Sequence, residues 1–407
     1  VTFSSPALNA TAARVQVMTA AARAAQAVTD TEQPPESRLQ TLMDAHARVL
    51  AVRGPGNPLT FSDFRDLLTQ DLSLLLPSHI AAEELQGVCL ITEDGQYDDD
   101  LYDLEQEQML VLRALAKAVR GGRTPSGESL AEEMDQERAY TALKKRGEQA
   151  VYVQGRQALI DMPAGSDKDL RKLRIPSSVV DFYQPIAHAA LFDRWWFACP
   201  VCRWPMKITI QRGRGTKTGS ARCFHRPHAA MGASYIFGIP DGGRPPSLMP
   251  AASAPPRPSG AAAVLFTDVS GRVPEPTPAE DHKALTRGVW RWTTIPGLVE
   301  VGLHRALEAR GIKVDLWPAL DAYDLHVELP AMSFRIDVKD YSNPLLLGKK
   351  IQADEGDAGG AQWLVVPDFR PSSVPVLTTV CAEFGLRVAT AGAMGQMICE
   401  KAGIAWQ

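Results

Sequence analysis

The chain has 407 residues, of which 45% are hydrophobic and 22% charged, with a formal net charge of −4. That length predicts two or three domains with real cores, and the near-balanced charge excludes a chain-wide nucleic-acid coat, so any basic patch must be local. No apolar run approaches the roughly eighteen residues that a membrane-crossing helix needs.

In chain order, Val1 to Val28 is alanine-rich and lacks a basic stretch ahead of an apolar block, so it does not read as a secretory signal. Residues 1–190 predict a mostly helical region of unassigned role. Ser37 to Val52, Ser62 to Leu76 and Asp103 to Val119 carry apolar residues at three- and four-residue spacing, and Gly54-Pro55-Gly56 and Gly121-Gly122 punctuate them. No catalytic constellation and no repeat stand out there. From Glu93 to Glu107 there are eight acids and no base, which reads as a solvated helix start, with a partner-binding or DNA-mimicking surface as the rival.

Residues 191–240 predict a small zinc-ribbon-like module. Cys199-Pro-Val-Cys202 is a turn that aims two thiolates at one point, and Cys223 with His228 completes a tetrahedral Zn²⁺ set, His225 being the alternative fourth ligand. The other cysteines among the six, Cys89, Cys381 and Cys399, are scattered in apolar surroundings and read as free buried thiols, in keeping with a reducing cytoplasm. Arg203 to His228 holds seven Lys or Arg and no acid, so Arg212, Arg214 and Lys217 on the Gln211–Lys217 loop are either phosphate contacts or a solvated hairpin tip. Residues 241–281, rich in Pro, Ala, Gly and Ser, read as a linker or long loop.

Residues 282–407 predict an α/β domain with a mixed central sheet. Gly297 to Arg310 reads as a helix, and Lys313 to Trp317, Asp324 to Leu329, Phe334 to Lys339, Gln362 to Pro367 and Leu386 to Ala389 as strands, with Cys381 to Phe384 and Ala393 to Lys401 helical. Strand periodicity puts Asp337 and Lys339 on one face and turns Val338 into the core. A hairpin brings Asp324 beside that face. Two carboxylates, joined by the Val338 carbonyl, make an oxygen site for a hard cation such as Mg²⁺ or Mn²⁺, with an ammonium next to it. Glu300, in register with Leu303 and Leu307, faces the apolar side of its helix. A buried carboxylate needs a partner, which makes it a direct or indirect contributor to the same site. Arg287, Arg291, Lys349 and Lys350 are candidate contacts to a DNA backbone, the last two with solvated surface as rival. Trp290 and Trp292 read as packing under the helix rather than as base-stacking platforms.

Glu300, Asp324 and the Asp337-Val-Lys339 tripeptide, in that order, resemble the PD-(D/E)XK restriction-endonuclease-like superfamily. The wider text is more specific. Trp290-Arg-Trp-Thr-Thr-Ile-Pro-Gly-Leu-Val-Glu300, Leu316-Trp-Pro, Asp321-Ala-Tyr-Asp324-Leu and Asp337-Val-Lys-Asp-Tyr341 are similar to the restriction-endonuclease-type proteins of bacterial pPIWI-RE (PIWI with restriction endonuclease) defence modules. The likeness covers Arg194 to Tyr341. It implies a restriction-endonuclease-like fold and a Mg²⁺-dependent deoxyribonuclease with catalytic Glu300, Asp324, Asp337 and Lys339. It also implies work beside a PIWI-like protein and a DinG-type helicase against invading DNA, at R-loops or RNA–DNA hybrids. A catalytically silent nucleic-acid-binding or assembly subunit is the competing expectation.

Overall fold

The computed structural model describes residues 6–29, 33–82, 85, 88–91, 97, 103, 107, 110–111, 131–145, 147–173, 175–212, 217–251, 255–269 and 271–407. Contacts divide the chain into two compact units: Val1–Gly127 with Tyr341–Gly356 and Thr379–Phe384, and Glu128–Asp340 with Asp357–Thr378 and Gly385–Gln407.

In the first unit, α1 (Pro6–Thr29) packs on α2 (Pro35–Arg53). The alanine richness of the N-terminal stretch has a structural purpose, since Ala20, Ala21, Ala24 and Ala25 are buried. Arg38 closes the end of α1 by donating to the Ala27 and Val28 carbonyls at 2.6 and 2.9 Å. The predicted helix Ser62 to Leu76 breaks in two, Phe61–Leu67 and a 3-10 turn Leu72–Leu75, because the Asp71 carboxylate captures the Ser73 N–H and starts a new turn. Of the predicted helix Asp103 to Val119, residues 103, 107, 110 and 111 are helical and the rest lie outside the described residues. The acidic run is not simply solvated. Asp103 and Glu107 are buried, and Glu107 accepts the Ser342 and Asn343 N–H groups that open the helix Pro344–Ala353.

The second unit opens with α3 (Ala131–Lys144) and α4 (Gln149–Asp161). An antiparallel sheet follows, in the order β1 (Lys207–Arg212), β2 (Lys217–Arg222), β3 (Ser234–Gly238), β4 (Met249–Pro250). The Pro/Ala/Gly-rich stretch is irregular but pinned: β4 pairs with β3, Thr277–Pro278 pairs with Trp195–Trp196, and the Ala261 carbonyl accepts Trp406 Nε1 at 2.9 Å.

Next come α5 (Ile295–Glu308), β5 (Val314–Leu316), β6 (Leu325–Leu329), β7 (Met332–Val338), β8 (Trp363–Val366), β9 (Arg387–Thr390) and α6 (Ala391–Ala402). The five strands form one sheet in chain order, β5–β6–β7 antiparallel and β7–β8–β9 parallel, the mixed sheet expected. Leu303 and Leu307 of α5 and Met394 and Ile398 of α6 form its core with Leu325, Ile336, Val338 and Val365. Ahead of α5, residues Trp290–Thr294 form a π-helical turn. Pro296 has no N–H to give the Trp292 carbonyl, and the Tyr140 hydroxyl of α3 donates to that carbonyl at 3.4 Å instead.

The Cys/His sheet and the C-terminal sheet are not separate beads. One apolar cluster runs from Tyr152 and Leu159 of α4 through Cys199, Cys202, Cys223 and Trp204 to Leu285, Trp290 and Val301. Trp204 stacks on Trp290 at 4.3 Å and donates its Nε1 to the Leu285 carbonyl, so both Trp290 and the largely buried Trp292 pack inside, as expected.

Candidate metal centres

Cys199 and Cys202 sit on a tight knuckle. The Arg203 N–H returns to the Cys199 carbonyl at 2.8 Å, with Arg203 itself left-handed at φ 59°. Cys223 follows β2, and His228 lies on the short helix Arg226–Ala230. The ligand atoms of Cys199, Cys202, Cys223 and His228 all lie within 4.8 Å of one another, and all four residues are buried. Cys202 Sγ is 3.8 Å from Cys223 Sγ, which is 3.6 Å from His228 Nδ1. Bonds of about 2.3 Å to sulfur and about 2.0 Å to nitrogen at tetrahedral angles require separations of roughly these lengths, so the donor set fits zinc. His225 turns away: its Nε2 lies 3.4 Å from Asp340 Oδ2.

Asp340 is the centre of a buried charge group. Arg370 Nε donates to Oδ1, while Arg291, fully buried, donates to the Asp340 carbonyl at 2.8 Å and lies 3.8 Å from Oδ2. Burial alone pushes the carboxyl up, but Arg370 and Arg291 hold it well below the ordinary range. This corrects the expectation for Arg291, which has no surface to offer a phosphate. Asp340→Ala is expected to cost about 3–5 kcal/mol in urea unfolding, since it strands a buried guanidinium. Because the folded pKa is depressed, that contribution is present above the ordinary Asp range near pH 4 and lost as pH falls below it. Equal stability of the variant and the parent at pH 7 would count against the network.

The acids of the sheet gather where β6 and β7 meet α5. The Asp324 N–H donates to the Ile336 carbonyl at 2.9 Å, which seats the residue at the head of β6. Its Oδ2 accepts the Val338 N–H at 2.6 Å. Lys339 Nζ donates to Asp337 Oδ1 at 2.7 Å, and 39% of the lysine side chain is exposed. Val338 points into the core, as the alternation requires.

Glu300 is reached from an element that the sequence did not connect to it. Arg156 of α4 donates its NH2 to Glu300 Oε1 and Oε2 at 3.0 and 2.8 Å and to Asp324 Oδ1 at 3.3 Å. Its NH1 binds Asp321, which also accepts the Tyr152 hydroxyl at 2.8 Å. The close approach needs Gly297, because a Cβ there would fall 2.4 Å from Ile160 Cδ1. The segment carrying Asp321 is strained: Trp317, Ala319, Leu320 and Asp321 all have positive φ, at about 1–2 kcal/mol each. One face of α4 holds it, with Gln149 Nε2 donating to the Trp317 carbonyl at 2.7 Å and Gln149 Oε1 accepting the Leu320 N–H at 2.8 Å. The signal that points to α4 is an arginine inside its apolar stripe, where Tyr152, Arg156 and Leu159 are all buried.

Four carboxylates, Glu300, Asp321, Asp324 and Asp337, face two cations, Arg156 and Lys339, a formal excess of two negative charges when all four are ionised. Burial, then Glu300 and Asp337, push Asp324 well above the ordinary carboxylate range. Burial raises Glu300 too, with Arg156 pulling the other way. For Lys339, burial favours the neutral amine, but Asp337 and Asp324 outweigh it and keep the ammonium. An excess of two negative charges on hard oxygens is what a divalent cation offsets, so Asp324 and Asp337 fit one.

The other expected nucleic-acid contacts are dispersed. Arg212 and Lys217 are paired residues at the tip end of β1 and β2, and Arg214 lies outside the described residues. Arg287 lies over the Phe224 ring at 5.0 Å. Lys349 and Lys350 belong to the other compact unit, where Lys350 pairs with Asp354. Among the described residues, no helix is long and apolar enough to cross a membrane.

Residues 297–406 match a family model described as a REase associating with pPIWI_RE. The match starts inside α5 and runs past Tyr341, the last strand of the sheet and α6, leaving out the Cys/His module. No curated protein and no solved structure matches the chain.

Proposed function

We propose that the chain is a metal-dependent DNA endonuclease of the PD-(D/E)XK type, a reading supported by the match of residues 297–406 to the family model described as a REase associating with pPIWI_RE. It acts in defence against invading DNA, with a PIWI-like protein and a DinG-type helicase as partners. The observation that carries this reading is the Asp337–Lys339 pair at 2.7 Å beside Asp324, in a pocket that sets four carboxylates against two cations.

Asp324, Asp337 and the Val338 carbonyl would hold Mg²⁺ or Mn²⁺, which when bound offsets charge on the phosphate and lowers the pKa of a water. The chain's own residues supply the rest. Lys339 keeps its proton and so acts as a donor. It orients the attacking water and stabilises the phosphate oxygens as negative charge builds on them. The N–H of Val338 fixes Asp324 so that its carboxylate does not rotate away from Asp337. The Cys199–Cys202–Cys223–His228 set would hold a structural Zn²⁺ that ties the module into the shared core.

The test is a cleavage assay on duplex, single-stranded and RNA–DNA hybrid substrates, by the chain alone and with its operon partners. Omitting Mg²⁺ is the control, because a chelator would also strip zinc. DNA cut only when Mg²⁺ is present supports the proposal. No cleavage of any form, with or without partners, favours a silent assembly subunit.

A further inference from the structure

We infer that Glu300 is a positioning residue that anchors Arg156 and acts on the metal site through it rather than as a ligand. The inference rests on the nuclease reading and sharpens it. Both Glu300 oxygens are engaged: Oε1 accepts Arg156, and Oε2 accepts Arg156 and also Trp317 Nε1 at 2.5 Å. Glu300 is 1% exposed, and Arg156 lies over the Trp317 ring at 4.6 Å, so the guanidinium is sandwiched and cannot swing clear without emptying its pocket.

Asp324 is less fully engaged than Glu300: among the described residues, Arg156 approaches its Oδ1 only at 3.3 Å from the α4 side, and the Val338 N–H is the one close donor to its Oδ2, from the sheet side. Without Glu300, the Arg156 charge would have Asp321 and Asp324 as its remaining counterions. It would then grip Asp324 more tightly and repel an incoming cation. Glu300 therefore supports metal binding through Arg156.

The experiment is a double-mutant cycle on the zinc-replete full chain, reading Mn²⁺ binding by calorimetry, with circular dichroism as the fold control. Glu300→Gln is expected to weaken Mn²⁺ binding about 10-fold, and adding Arg156→Met to restore it to within about 3-fold of the parent, because the two residues act as one neutral pair. If the double variant does not fold, Arg156→Gln with Glu300→Gln keeps an amide near Asp321 and gives the same comparison. A double variant as weak as Glu300→Gln would make Glu300 a direct ligand and overturn the inference alone. A parent chain that takes up no Mn²⁺ would overturn the nuclease reading and the inference with it.

Discussion

Lys339→Ala and Asp337→Ala are each expected to lower Mg²⁺-dependent DNA cleavage by about 10²–10³-fold while leaving a folded chain. The two residues lie at the edge of the pocket, Lys339 39% and Asp337 11% exposed at the side chain, so neither leaves a large cavity when truncated. Each variant loses a different contribution. Lys339→Ala removes the donor that faces developing negative charge, so it should lower the rate at saturating Mg²⁺. Asp337→Ala removes a ligand, so part of its loss should return at high Mn²⁺. Unchanged cleavage in either variant would remove that residue from the mechanism.

Stripping zinc is the second large effect. Metal binding by a Cys₃His set contributes roughly 10 kcal/mol or more in small zinc domains. Here the ligands are part of the same core as Trp204, Trp290 and α4, so their release opens that core rather than a peripheral loop. The expected result is about one zinc per chain by elemental analysis, and a fall in thermal midpoint of at least about 10 °C on removal. His228→Ala should lose the metal and His225→Ala should keep it, since His225 faces Asp340. Zinc loss in His225→Ala and retention in His228→Ala would reverse the ligand assignment.

The parts of this structure that were legible beforehand are those governed by short-range periodicity. Alternation along one strand placed Val338 in the core and Asp337 with Lys339 outside it, and helical spacing placed Glu300 on a buried face. The predicted strands Asp324 to Leu329, Gln362 to Pro367 and Leu386 to Ala389 fall within a residue of those observed. What was not legible depends on partners far apart in the chain. Arg156 meets Glu300 across 144 residues and Asp324 across 168, a pairing no local pattern encodes. Arg291 reads as a phosphate contact until Asp340, 49 residues on, supplies its counterion. The left-handed segment from Trp317 to Asp321 contains no glycine to announce it and stands because α4 holds it. A helix from the N-terminal half thus completes a site whose acids all come from the C-terminal third.

Anomalous diffraction from crystals of the zinc-loaded chain soaked in Mn²⁺ tests the metal centre most directly. A manganese peak bonded at about 2.0–2.4 Å to carboxylate oxygens of both Asp324 and Asp337 is the expected result. A well-ordered pocket with no peak between those two residues, at Mn²⁺ concentrations that support cleavage, would contradict it.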